Sequence, residues 1–219
     1  LSTKETLSVT GYHDEPVPNR FFRQEGETDH LAVVLPGLGY NAEMPLLHYP
    51  GHLLLQHGMD VLVVDYDYSH NPAFRAASES DRIQWLLEDV TAAWDAVVSR
   101  RQYMRHTLLG KSLGTLAMGQ LLLAKPVLSR AETIWLTPLL GERRLVEVMR
   151  QHRGRSLIAI GTADPAYVAD ALTTIQTETG AETIVVEGAD HGLELPGDAL
   201  GSLHVVERVA RGVDAFLVA

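Results

Sequence analysis

The sequence predicts an α/β domain: a mostly parallel, twisted sheet with helices on both faces and an antiparallel edge at its N-terminal side. Three observations carry this. Short runs rich in Val, Leu and Ile alternate along the chain with longer amphipathic stretches, the pattern of βαβ crossovers. The runs after the first two are apolar on both faces, as strands covered by helices from both sides are. No repeat, linker or low-complexity tract interrupts the alternation, so residues 1–219 are read as one domain.

The elements follow in order. Leu7–Thr10 and Val17–Gln24 read as an antiparallel pair, with Gly11 and Asp14-Glu15-Pro16 supplying the turn. His30–Leu35 has buried-strand character and leads through Pro36-Gly37-Leu38-Gly39 to a helix from about Met44 to His57. Asp60–Tyr66 is the next strand. A long helix over Ser78–Arg100 places Ile83, Leu86, Leu87, Val90, Ala93, Trp94 and Val97 at spacings of three and four. Ser78 with Asp81 is its start signal. Trp85 and Trp94 belong to its buried stripe. Then come strand His106–Leu109, helix Leu113–Lys125, strand Thr133–Thr137, a short helix near Arg143–Gln151 and strand Leu157–Ile160. Helix Tyr167–Thr179, strand Thr183–Val186 and helix Leu200–Leu217 close the chain.

Composition narrows the function classes. The chain carries 18 basic against 28 acidic side chains, a net charge of −10. That balance argues against nucleic acid, whose binding needs clustered Lys and Arg. Arg100-Arg101 with Arg105, and Arg143-Arg144 with Arg150, Arg153 and Arg155, read as water-facing helix ends. The chain has no cysteine, which removes disulfide frameworks, thiolate metal sites and thiol nucleophiles. No apolar run reaches membrane-spanning length, and no membrane partner is expected. The polar start shows no secretory signal, so a cytoplasmic protein is the default expectation, although the chain lacks an initiator Met.

Ligands on such sheets sit beyond the carboxyl ends of the strands, and four loops there stand out. Gly110-Lys111-Ser112-Leu113-Gly114 fits G-x-S-x-G between a strand and a helix. The glycines answer crowding, since strand and helix approach too closely for a Cβ, and the serine Oγ is presented at the positive end of a helix beside the Leu113 N–H. A tight glycine turn without chemistry is the bland alternative. A phosphate-binding loop would need glycine at position 105, where the chain has Arg105. Asp164 follows strand Leu157–Ile160, and His191 follows strand Thr183–Val186. Singly, each reads as a loop residue. Together, in the order Ser112, Asp164, His191, they supply a nucleophile, an orienting acid and a base. Asp190 is a rival acid whose side chain diverges from its neighbour, and Asp65 is a weaker one.

These loops resemble those of the α/β-hydrolase superfamily, from about His30 to the C-terminus. The resemblance implies Ser112 as nucleophile, His191 as general base and acid, and Asp164 as orienting carboxylate. Family members commonly carry His-Gly where this chain has Pro36-Gly37; the backbone N–H groups of Leu38 and Leu113 are carried over as oxyanion donors. A cap is often inserted after the sixth strand, whereas Thr137–Glu142 leaves little room for one. The expected site is therefore shallow, bordered by Leu38, Tyr40, Leu139 and Tyr167. The implied reaction is acyl transfer on a small-molecule ester, with thioester or peptide cleavage as sub-readings and no metal or organic cofactor. Cysteine-dependent dienelactone hydrolases and aspartate nucleophiles do not match this chain's residues. A non-catalytic domain that binds a ligand or partner is the reading from another class. The last helix is a possible homodimer face without apolar excess. His48 and His52 lack the H-E-x-x-H pattern. His70 reads as a solvent-exposed loop residue at the active end of the sheet. Lys111 reads as a tolerated elbow position with some capacity to attract an anionic substrate.

Overall fold

The computed structural model describes residues 2–219; Leu1 of the polar start lies outside them. The described strands are β1 (Ser2–Glu5), β2 (Asn19–Gln24), β3 (His30–Leu35), β4 (Asp60–Val64), β5 (Arg105–Lys111), β6 (Glu132–Leu136), β7 (Ser156–Gly161) and β8 (Glu182–Val186). They form one sheet in the order β1-β2-β4-β3-β5-β6-β7-β8. β1 and β2 pair antiparallel, as do β2 and β4; every pair from β4 across to β8 is parallel. The helices are α1 (Pro45–Gln56), α2 (Pro72–Ala76), α3 (Glu79–Val98), α4 (Leu113–Ala124), α5 (Arg143–Gln151), α6 (Ala169–Thr179) and α7 (Ala199–Val218).

The period-two alternation of the strands divides the core into two layers. Leu31, Val33 and Leu35 of β3 join Trp85, Leu86, Trp94, Met118 and Leu145 under α3, α4 and α5. Ala32 and Val34 face the other way, toward Leu46, Leu54, Val209 and Phe216 of α1 and α7. Helix α3 buries Leu86, Val90, Ala93, Trp94 and Val97 of the stripe that its spacing predicts, with Trp85 beside them, while Ile83 and Leu87 are half-buried. It starts at Ser78, whose hydroxyl accepts from the Asp81 N–H at 3.2 Å. No helix among the described residues is long and apolar enough to cross a membrane.

The antiparallel edge is present, but the first strand is Ser2–Glu5 rather than Leu7–Thr10. Leu7 and Val9 are buried, which accounts for their strand-like look. The main chain of Leu7 pairs instead with a side chain: Asn19 accepts from the Leu7 N–H and donates to its carbonyl, both at 2.9 Å. Strand β4 ends at Val64, two residues before the predicted end, and Tyr66 turns inward. Residues 65–78 hold a short helix that the sequence did not suggest, α2, capped by Asn71 and packed through Phe74 on Tyr68 at 4.2 Å between ring centroids. The arginine clusters do more than face water. Arg101 reaches the fully buried Asp60 at 2.9 Å, and Arg155 lies over the Phe216 ring at 4.4 Å. The connection from β6 to α5 spans only residues 137–142, so no cap is inserted there.

Candidate active site

Strand β5 runs into the glycine-flanked turn and hands over directly to α4. Ser112 adopts φ +51° and ψ −116°, a conformation that L residues reach only when their surroundings enforce it. The surroundings are backbone. A Cβ on Gly114 would lie 1.9 Å from the Leu35 carbonyl oxygen, and one on Gly110 would lie 2.8 Å from that of Gly114. The Ser112 N–H donates to the Leu136 carbonyl at 3.0 Å, which anchors the turn to β6.

The loops after β7 and β8 bring the other two groups. Ser112 Oγ lies 2.8 Å from His191 Nε2, and His191 Nδ1 lies 2.9 Å from both carboxylate oxygens of Asp164. The Asp164 side chain is fully buried, and its Oδ1 also accepts from the Ala166 N–H at 2.8 Å. The two loops are stapled together. Ala163 N–H donates to Ala189 O at 3.0 Å, Gly188 N–H donates to Thr162 Oγ1 at 2.8 Å, and a Cβ on Gly161 would strike the Ala189 carbonyl. A carboxylate on Nδ1 selects the imidazole tautomer whose Nε2 is free to accept a proton.

Neither rival acid meets the ring. Asp190 turns its carboxylate back into its own loop, accepting from Gly192 N–H at 2.7 Å and Glu194 N–H at 3.0 Å. Asp65 is clamped by Arg20 at 2.6 and 2.8 Å, an arrangement that holds the guanidinium pKa above its ordinary value.

The loop after β3 closes as a tight turn in which Gly37 and Tyr40 exchange main-chain hydrogen bonds and Gly39 takes φ +78°. Among the described residues, the N–H groups of Leu38 and Leu113 have no hydrogen-bond partner. The turn is oriented from below by a residue that sequence reasoning did not single out. The buried Tyr66 hydroxyl donates to the Pro36 carbonyl at 2.9 Å, fixing the peptide plane that leads into Gly37. Tyr66 in turn stacks on Tyr68 at 4.5 Å, and Tyr68 donates to the buried Asp89 at 2.6 Å. Burial raises the Asp89 carboxyl above its usual range.

Lys111 is more than the tolerated elbow position of the sequence reading. It is 1% exposed, so no anionic substrate reaches it. Its ammonium donates to His191 O at 2.9 Å and to Thr137 Oγ1 at 3.1 Å, and it lies 4.4 Å from the Tyr40 ring centroid. Burial pushes it down to about 8, against the pull of Asp164 and Asp190. Tyr40 thus serves the interior with its ring, and its hydroxyl accepts from the Leu46 N–H at 3.0 Å. Its remaining edge borders a cleft of about 560 Å³ with Pro45, Asp190 and Gly192. Leu139 and Tyr167 are half-buried against the core, and Leu38 is exposed at the tip of its turn. Beside the elbow, Leu113 begins a groove of about 810 Å³ between α3, α4 and α5.

His70, His48 and His52 make no hydrogen bond to this cluster among the described residues. His70 is exposed and pairs with Asp67 at 2.7 Å. The His48 and His52 rings lie 4.5 Å apart on α1.

No family model matches the chain, and no curated protein matches it in sequence. Solved structures do match its fold. A protein of unknown function from Agrobacterium tumefaciens, grouped with the alpha/beta hydrolases, superposes at a TM-score of 0.75 with 15% identity, over 98% of this chain and 94% of that one. Dienelactone hydrolase from Anabaena variabilis does so at 0.72 with 16% identity, over 100% and 97%. An esterase from Pyrococcus furiosus does so at 0.68 with 13% identity, over 96% and 91%. At these identities the likeness is one of fold.

Proposed function

From the premise that this chain has the α/β-hydrolase fold, we propose that it is a serine hydrolase that cleaves a carboxylic ester through an acyl-enzyme on Ser112. One observation carries the reading: three side chains from three separate loops meet in a continuous Ser112–His191–Asp164 hydrogen-bonded chain. The esterase and hydrolase names among the structural neighbours agree with it, although fold by itself does not assign chemistry.

In this mechanism Ser112 Oγ bonds to the ester carbonyl carbon while His191 Nε2 takes its proton. The developing imidazolium is stabilised by Asp164, and the oxyanion is held by the N–H groups of Leu38 and Leu113. The tetrahedral species collapses as the C–O bond to the leaving group breaks, and the leaving alkoxide takes the proton from Nε2. Water, deprotonated by the same nitrogen, then releases the acid and restores Ser112. Thioester cleavage runs through the same steps with a thiolate leaving group, and peptide cleavage with an amine. The short 137–142 connection, which inserts no cap, supports an open site suited to small esters; in this reading Leu38, Leu139 and Tyr167 border it.

The test is turnover of p-nitrophenyl esters of increasing acyl length. The expected result is hydrolysis that favours the short chains and falls by about 10⁴-fold or more in Ser112→Ala. Wild-type hydrolysis no faster than Ser112→Ala across esters, thioesters and amides would reject the hydrolase in favour of a binding domain.

A further inference from the structure

We propose that Lys111 is a positioning residue for the site, its ammonium holding the His191 main chain in register with Ser112 and tying together the loops that follow β3, β5, β6 and β8. This rests on the serine-hydrolase reading. The geometry behind it is a convergence on one nitrogen. Lys111 ends β5, immediately before the nucleophile. Its Nζ reaches the His191 carbonyl after β8, the Thr137 hydroxyl after β6 and the ring of Tyr40 in the turn after β3. Among the described residues no other donor meets the His191 carbonyl. Thr137 is itself held at φ +44°, rare for a β-branched residue, with its N–H donating to Ala159 O at 2.7 Å.

An ammonium in this position is costly. A methionine would fill the space without taking a charge out of water. What only the ammonium supplies is the pair of donors and the positive charge. No carboxylate forms a direct ion pair with it among the described residues. The charged and titratable groups around it are Asp164 after β7, Asp190 and His191 after β8, and Tyr40 after β3, with Glu194 beyond Tyr40. Through these two donated bonds the ammonium fixes the backbone from which the imidazole hangs.

The experiment compares wild type, Lys111→Met, Lys111→Arg and Thr137→Val in ester hydrolysis across pH, with thermal unfolding alongside. For Lys111→Met the expected result is a fall in kcat of about 10- to 100-fold with little change in KM, as for a misplaced base. Lys111→Arg, which keeps the charge and the donors, should recover part of that kcat. Thr137→Val, which removes one acceptor and keeps the charge, should lose several-fold in kcat and supplies the test if Lys111→Met does not fold. Unchanged kcat in folded Lys111→Met, or in Thr137→Val where only that variant folds, would overturn the proposal. So would a kcat loss in Lys111→Met that follows a drop in melting temperature and is not relieved in Lys111→Arg, because Lys111 would then be a packing residue. Absence of Ser112-dependent turnover in wild type would instead overturn the hydrolase reading, and this proposal with it.

Discussion

Ser112 is held at φ +51° by glycines that leave no space for a side chain, and its Oγ meets an imidazole whose other nitrogen faces a buried carboxylate. The choice between neighbouring acids follows from where each carboxylate spends its hydrogen bonds. Asp164 faces the ring, whereas Asp190 is occupied by its own loop. Asp164→Asn should therefore lower kcat by about 10⁴-fold by favouring the wrong tautomer. Asp190→Asn, which keeps an acceptor for the loop amides, should cost less than about tenfold; parallel pH–rate profiles would check the pair, and equal losses would contradict the assignment. Ser112, Asp164 and His191 were legible in the sequence because each has a distinctive chemistry and directly follows a strand. Tyr66 and Lys111 were not, because their roles depend on what packs against them. Lys111, beside Ser112, reads as a tolerated turn position until the fold places Tyr40, Thr137 and the His191 carbonyl around its ammonium.

At the scale of elements, the strand–turn–helix from β5 to α4 is the least forgiving part of the molecule. Gly114→Ala would press a methyl into the Leu35 and Pro36 carbonyls, and should destabilise the protein by about 3 kcal/mol or more. Gly26→Ala, where a Cβ meets nothing within 4 Å, should stay within about 0.5 kcal/mol. Chemical denaturation of the two variants compares them directly. Helices were readable where an apolar stripe and a cap agree, as at Ser78 and α3. The N-terminal edge was misread because burial of Leu7 and Val9 mimics a strand while the Asn19 side chain takes the place of a ladder partner. Helix α2 went unseen because it is a single short turn whose order comes from aromatic stacking of Phe74 on Tyr68, a contact made between neighbours in space.

Across the whole molecule, acid sensitivity follows from buried imidazoles. Burial pushes His30 down to about 4 from an ordinary 6.5, and lowers His106 and His152 as well. Below pH 6.5 the unfolded chain protonates all three while the folded chain resists, so stability falls as pH drops from about 6.5 toward 4. Asp89, raised by burial, acts with the opposite sign but is one group against three. The melting temperature should decline through this window, and His30→Gln should flatten the decline; a melting temperature constant from pH 7 to 4.5 would contradict it. The central claim, a working Ser112 nucleophile, is tested most directly by intact-mass measurement after treatment with a fluorophosphonate. One adduct is predicted, mapped to Ser112, absent from Ser112→Ala and formed far more slowly in His191→Ala. No adduct on folded wild type, or an adduct that persists in Ser112→Ala, would contradict it.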